Sequence, residues 1–244
     1  SEFKTYAMNG EKDKINALTD LLDRHEIKYS FANSGNIKGY SYQNSKNGNL
    51  EASKETLLVS ANQPKSKMIK VLFEPKAKLV DSLTYDITAW SLPYAYGLET
   101  VASSKIINGN SNNPENFKQN TANANATAFL SKWNSMEDAR FLAELIRNNI
   151  KVRFSEKQFR NSGEDFNAGS LIISKSDNSA IENFQQKVVE IANNMQRKLV
   201  ATNTGFSDKG PDFGSGNIKI INKQKIGLLR GEQVSSLNFG EIWY

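Results

Sequence analysis

The side chains best suited to chemistry or recognition lie in one stretch, "DSLTYDITAWSLPYAYGLET", Asp81 to Thr100. Tyr85, Trp90, Tyr94 and Tyr96 fall close together there, flanked by the carboxylates Asp81, Asp86 and Glu99. Paired carboxylates beside aromatic rings are the arrangement of a glycosidase cleft, one acid and one base or nucleophile across the scissile bond. A hydrolase using Asp86 and Glu99 is therefore one reading. A surface that binds peptide or carbohydrate through Trp90, Tyr94 and Tyr96 is a second. Ordinary packing is the third and the default: Tyr85, Ile87 and Ala89 alternate as in a half-buried strand, and Leu92-Pro93 then turns the chain.

Other candidates are weaker. "SANQPKS", Ser60 to Ser66, follows a buried apolar run, so Asn62 and Gln63 stand where open α/β sheets bind ligands, at the carboxyl end of a strand. The same residues suit a helix-start turn with Pro64 near the first helical position. "TGFSDKGPDFGSGN", Thr204 to Asn217, joins Gly-rich backbone to Asp208 and Asp212, which suits an anion or calcium, yet it matches neither a P-loop nor an EF-hand; a tight turn is the alternative. His25 reads as a solvated residue at a helix end, favoured by the macrodipole.

Absences exclude more than these motifs add. The chain has no cysteine and a single histidine, which leaves no thiolate chemistry and a poor seed for a zinc site. No catalytic and no metal-ligating residue is assigned, and no cofactor is expected in this chain. The 31 basic and 26 acidic residues leave a net charge of +5 with no basic run, so nucleic acid is not an expected partner. No apolar run approaches the roughly 18 residues that mark a membrane helix. A signal-peptide core is missing, and Ser1-Glu2-Phe3 is compatible with a cloning scar.

The elements that must position these residues follow from periodicity. The 244 residues, 38% hydrophobic and 23% charged, suit a globular chain with a real core. Phe3 to Met8 reads as a strand and Lys12 to Glu26 as a helix, with Ile15, Leu18, Leu21 and Leu22 on one face. Ile27, Tyr29 and Phe31 alternate as a strand. A Gly/Asn/Ser-rich excursion from Ser34 to Asn49 carries a hairpin around "GYSYQ". Thr56 to Ser60 is a buried strand, and "SKMIKVLFE" a short helix. Phe129 to Trp133 opens a second passage. There Ser135 caps a helix whose face is Ala139, Leu142, Ala143 and Ile146; Ile150, Val152 and Phe154 form a strand, as does "GSLIIS". Asp177-Asn178 then caps a helix carrying Ile181, Phe184, Val188, Ile191 and Met195.

The passages align with each other. "LLDRHEIKYSFA" from Leu21 matches "ELIRNNIKVRFS" from Glu144, and "TLLVS" at Thr56 matches "SLIIS" at Ser170. The expected fold is α/β, with α+β as its variant: two related small β-α-β-β-α units. The first spans 1–107 and includes the aromatic segment 81–100. Residues 108–126, Asn-rich and nearly free of apolar side chains, form a linker. The second unit spans 127–222. Residues 223–244, with a strand at Ile226 to Leu229 and a helix from Ser235 or Ser236, read as the start of a further domain cut within that helix.

Three separated motifs, "SLTYDITAWSLPYAYGLE", "SANQPKS…VLFEP" and "GFSDKGPDFGS…KIGLLRGEQVSSLNFGEIW", resemble the region after the catalytic domain in zinc carboxypeptidase-like proteins of the M14 type, particularly large exported ones of the Bacteroidetes kind. The resemblance covers about Lys4 to Tyr244. It implies a non-catalytic accessory region that supports the peptidase domain or binds polypeptide or glycan. It implies periplasmic or secreted location, other domains of the parent protein as partners, and an amidotransferase-like domain beginning near residue 223. The family's His-x-x-Glu zinc motif has no counterpart here ("HEIK" at His25 does not fit it), and glutaminase chemistry would need a Cys. Zinc is thus expected only in the parent's peptidase domain. A self-contained peptide- or carbohydrate-binding module is the competing reading.

Overall fold

The computed structural model describes residues 3–76, 91–110, 117–225, 227, 231, 232, 234, 235 and 237. The chain divides into two compact units, residues 1–118 with 134–137, and residues 119–133 with 138–244.

In the first unit, β1 (Thr5–Asn9) leads into α1 (Lys12–Arg24), β2 (Ser30–Phe31), β3 (Gly35–Ser41), β4 (Lys46–Ala52), β5 (Leu57–Ser60), α2 (Ser66–Phe73), α3 (Leu92–Ala95) and β6 (Glu99–Ser103). The strand order is β2-β5-β1-β6-β3-β4, with antiparallel pairings throughout. Because β5 lies between β1 and β2, the first β-α-β is split by the strand that opens the second half. Alternation then divides the strands between two cores. Tyr6, Met8, Leu57 and Val59 face Ile15, Leu18 and Leu22 of α1 and Ile69 and Phe73 of α2. Ala7, Leu58 and Val101 point the other way and meet Ile37, Leu50 and Ala52 of the β3–β4 hairpin.

That hairpin is longer and more regular than the Gly/Asn composition suggests. Only Tyr40 and Ser41 pair with β6, opposite Ala102 and Val101, while the β3–β4 ladder continues to Gly35 and Ala52. The hairpin thus leaves the sheet plane and covers its second face. Gly39 permits the close approach: a Cβ there would stand 2.2 Å from the Ala102 carbonyl oxygen.

The second unit contains β7 (Ala128–Ser131), α4 (Met136–Arg147, of which residues from Asp138 on belong to it), β8 (Arg153–Ser155), β9 (Phe159–Asn161), β10 (Glu164–Phe166), β11 (Leu171–Ser174), α5 (Phe184–Asn194), β12 (Val200–Thr202) and β13 (Ile218–Ile220). Its main sheet runs β12-β7-β11-β8-β13, again antiparallel, and β9 pairs with β10 alone. The order β12-β7-β11-β8 repeats β6-β1-β5-β2. A hairpin is inserted at the same point, and here Phe159 and Phe166 cover Ala128, Leu130 and Ile172. Both units are α+β in arrangement, with helices on one face and a hairpin on the other.

Each unit ends in a strap. After β6 the chain passes Ile107, packed on the second core, to Asn110, which exchanges both backbone hydrogen bonds with Phe31 of β2. Thr5 holds it midway, its hydroxyl donating to the Lys105 carbonyl (2.9 Å) and accepting from the Ile107 N–H (3.1 Å). After β12 a longer strap, Asn203 to Asn217, packs Phe213 onto the second core and becomes β13 beside β8.

Several expectations change. The buried face of α4 is Asp138, Phe141 and Leu145 rather than Ala139, Leu142, Ala143 and Ile146. A buried carboxylate hid this face: Asp138 accepts from Arg197, with both side chains about nine-tenths enclosed (8% and 12% exposed). Asp177-Asn178 does not cap α5. It lies in a 3-10 turn, Ser176–Asn178, and α5 begins at Phe184 after a left-handed Asn183. The proposed linker is ordered at both ends. Asn110 bridges to Phe31, and Asn120 takes part in hydrogen bonds with Asn193, Arg197 and Leu199 in the second unit. Residues 111–116, the strand expected at Tyr85–Ala89, Ile226, Leu228 and Leu229, and most of the final helix lie outside the described residues.

The hairpin geometry makes a direct prediction. Gly39→Ala will destabilise the chain by about 1–3 kcal/mol, the usual cost of overpacking, because its Cβ meets main chain. Gly214→Ala, where a Cβ meets nothing within 4 Å, will leave the urea midpoint nearly unchanged.

Candidate functional site

Asn62 and Gln63, candidate ligand-binding residues in the sequence, follow the carboxyl end of β5. Asn62 is exposed there, its backbone N–H donating to the Ser60 hydroxyl (3.2 Å). Gln63 is committed to the scaffold. Its Nε2 donates to the carbonyls of Lys28 and Ser60 (both 2.8 Å), and its Oε1 accepts from the Lys28 N–H (2.8 Å). Both amide donors are consumed. The second unit repeats this with another side chain. Asn178 Nδ2 donates to Lys151 O (2.9 Å) and Ser174 O (2.8 Å), while its Oδ1 accepts from Lys151 N (2.7 Å). Lys28 and Ser60 correspond to Lys151 and Ser174 in the sequence alignment of the two passages. In each unit an amide side chain therefore clamps the chain leaving the first helix to the end of the strand that follows the inserted hairpin, β5 or β11. The turn reading, not the ligand reading, describes Gln63.

The aromatic stretch divides. Trp90, Tyr85, Asp81 and Asp86 lie outside the described residues. Tyr94, on α3, is 44% exposed and leans on Tyr42, ring centroids 5.1 Å apart. Burial of its inner side raises the Tyr94 phenol's pKa, and Tyr40 adds to the effect. Tyr96 is half-buried against the helix-side core. Tyr42 lies wholly inside, its hydroxyl donating to the Phe73 carbonyl, and burial pushes its pKa far above the ordinary tyrosine value. So Tyr94 and Tyr96 pack the end of α3 onto the core, and each keeps part of its surface in solvent. Glu99 is an exposed residue at the start of β6, opposite Asn9.

The remaining candidates are structural. His25 is an exposed C-cap of α1. Asp212 accepts from the Ser207 N–H (2.8 Å) and Asp208 from the Gly163 N–H (3.3 Å), so the two acids brace the long strap. Among the described residues, no group of three or more His, Asp or Glu is placed to hold a metal ion, and no helix is long and apolar enough to cross a membrane.

One concavity was not foreseen. In the second unit a cleft of about 590 Å³ opens between the strap, the start of β7 and the end of β11. Ala128, Ile172 and Phe213 supply apolar lining; Ser174, Ser176 and Asn203 supply polar groups. Arg153 and Asp177 also line it and are joined by two hydrogen bonds, Nε to Oδ2 at 2.6 Å and Nη2 to Oδ1 at 2.8 Å. The Arg153 hydrogen bonds hold the Asp177 carboxyl below the usual aspartate range, against the opposing effect of burial. In the first unit the shorter strap closes the corresponding crossing: a Cβ on Gly109 would meet Phe31 O at 2.4 Å and Leu58 Cδ1 at 3.0 Å. A second hollow there, about 780 Å³, lies between the β3–β4 hairpin and Ser103 to Ile107, lined chiefly by Asn36, Lys38, Asn47, Asn49 and Lys105.

No family model, curated protein or solved structure matches this chain.

Two predictions test the site's construction. Asn178→Ala, at a buried position, will cost about 2–4 kcal/mol, since it removes three hydrogen bonds and leaves main-chain groups unsatisfied; the more exposed Gln63→Ala will cost about 1–2 kcal/mol. Both are read from urea unfolding. The Arg153–Asp177 pair sets an acid limit on stability. Asp177's folded pKa is depressed, so its stabilisation is complete above the unfolded value near 3.9 and is lost as pH falls through the folded one. Wild type will therefore exceed Asp177→Asn in urea midpoint at neutral pH, and the two will converge in strong acid.

Proposed function

We propose that this chain is a non-catalytic accessory region, two α+β units that support or position a zinc-carboxypeptidase-like domain of an exported protein and bind polypeptide or glycan. The observation that carries this reading is the amide clamp. Where an α/β enzyme would present ligand-binding side chains at a strand's carboxyl end, Gln63 and Asn178 instead tie main chain to main chain. The motif resemblance from Lys4 to Tyr244 supplies the link to the M14 type and to a periplasmic or secreted location. In this reading zinc belongs to the parent's peptidase domain, and residues 223–244 open an amidotransferase-like domain.

A self-contained binding module is the second reading, and the cleft of the second unit favours it. A hydrolase built on Asp86 and Glu99 has less support, since the described member of that pair is an exposed carboxylate beside Asn9.

The test begins with the reading frame upstream of residue 4. A His-x-x-Glu peptidase domain is expected there, and its absence overturns the accessory reading in favour of the module. Given that domain, the peptidase expressed without residues 4–244 will unfold at a lower temperature than the joined protein. An unchanged midpoint counts against a supporting role. The isolated chain will not hydrolyse peptides or glycosides; turnover abolished by Glu99→Gln would establish the hydrolase instead.

A further inference from the structure

The Arg153–Asp177 pair at the cleft is balanced in charge yet not exhausted in hydrogen bonding. Arg153 uses Nε–H and one Nη2–H on Asp177, and its remaining N–H groups stay available as donors. Each Asp177 oxygen accepts one of those bonds and keeps a free lone pair. A strong donor and a strong acceptor thus stand side by side on one wall. A neutral ligand that donates and accepts at adjacent atoms satisfies both groups at once; Lys175 in the same lining and Lys151, whose charge reaches Asp177, add positive charge, so a sugar acid is the competing ligand that the glucuronate arm tests. A vicinal diol does both. The Ser174 and Ser176 hydroxyls, 2.6 Å apart, and Asn203 extend the polar side, while Lys175 lies at the exposed rim. Phe213, half-buried, lines the same cleft and offers an apolar surface, with the buried Ala128 and Ile172 also in the lining. Its ring is held edge-on against Phe159 at 6.0 Å and 82°. A sugar has this same division, hydroxyls around its edge and C–H groups on its face, and the cleft's volume of about 590 Å³ accommodates one or two units.

We propose that the cleft between the long strap and the β7 and β11 ends binds a neutral carbohydrate, with two adjacent hydroxyls on Arg153 and Asp177 and the C–H face of the ring on Phe213. This rests on the binding half of the function proposed above and names its ligand class; it does not depend on attachment to a peptidase.

The test is a titration of the isotope-labelled full chain, followed by backbone amide shifts. The probes are glucose, galactose, mannose and N-acetylglucosamine, with glucuronate and the dipeptide Gly-Phe as contrasting arms. The expected result is saturable shifts confined to residues 174–179 and 203–214 with at least one neutral sugar. Gly214→Leu places a bulky side chain on the cleft lining without a main-chain clash, since a Cβ there meets nothing within 4 Å, and will abolish those shifts while leaving the remaining spectrum folded. Asp177→Asn will weaken binding by about tenfold or more, the scale of one lost charge-assisted hydrogen bond. The proposal is overturned if no neutral sugar saturates, if only glucuronate or only the dipeptide does, or if the shifts survive in Gly214→Leu. Such a failure leaves the accessory reading standing, because that reading is decided by the reading frame and the stability of the joined protein.

Discussion

The amide clamp is the constraint on which each unit depends. A split β-α-β must bring the chain leaving the first helix back beside a strand made much later, yet the returning strand is very short, Ser30–Phe31 in one unit and Arg153–Ser155 in the other. Few ladder hydrogen bonds fix its register. Gln63 and Asn178 make up the deficit by treating Lys28 and Lys151 as though they were paired residues, engaging both the N–H and the C=O. A slip of one residue would turn Ile27 or Ile150 out of the core and present the wrong pair of backbone groups to the amide. Register and core are thereby specified together.

With register set, each sheet has two apolar faces to cover. Helices cover one face in both units, and an inserted hairpin covers the other, by bending out of the sheet at Gly39 in the first and by separating entirely as β9–β10 in the second. The straps close what remains. They differ in length, and that difference separates a closed crossing at Gly109 from an open cleft beside Phe213. The cleft is thus a property of a connection, while the repeated elements beneath it serve stability.

Much of this was legible in the residues. The helical spacing of Ile15, Leu18 and Leu22 and the apolar runs at Leu57 and Leu171 marked the elements that bury the core, because burial on one side imposes a period. The match of Lys28 with Lys151 and of Ser60 with Ser174 already marked the clamp's anchor points. The clamp itself is not legible there, because Gln63 and Asn178 sit at different offsets from those serines and differ in side-chain length, although the turn around Gln63 is. The α4 face was misplaced because Asp138 is buried through a partner far along the chain, Arg197, which no local pattern shows. The strands β6, β9, β10, β12 and β13 are three to five residues long, too short for alternation to stand out. The cleft left only a partial local signal: the Thr204 to Asn217 stretch stood out, but for its Asp and Gly residues rather than for Phe213. Ser, Thr and Gly line it, and it exists only because residues from the strap meet strand ends from elsewhere in the unit.

The strap has a consequence for how the chain is made. Its last pairing, Asn110 with Phe31 and β13 with β8, joins the end of each unit to a strand near its beginning. During synthesis the ribosome releases that early strand long before its partner exists. The clamp and the helix-side core can assemble first, but the second face stays uncovered at that edge until residue 110, and later residues 218–220, emerge. Each of these edges is therefore closed late, by a segment that follows the other strands of its sheet. A pause in translation shortly before either point would hold a nearly complete unit with an open strand edge, the state in which a nascent chain is most prone to pair with its neighbours.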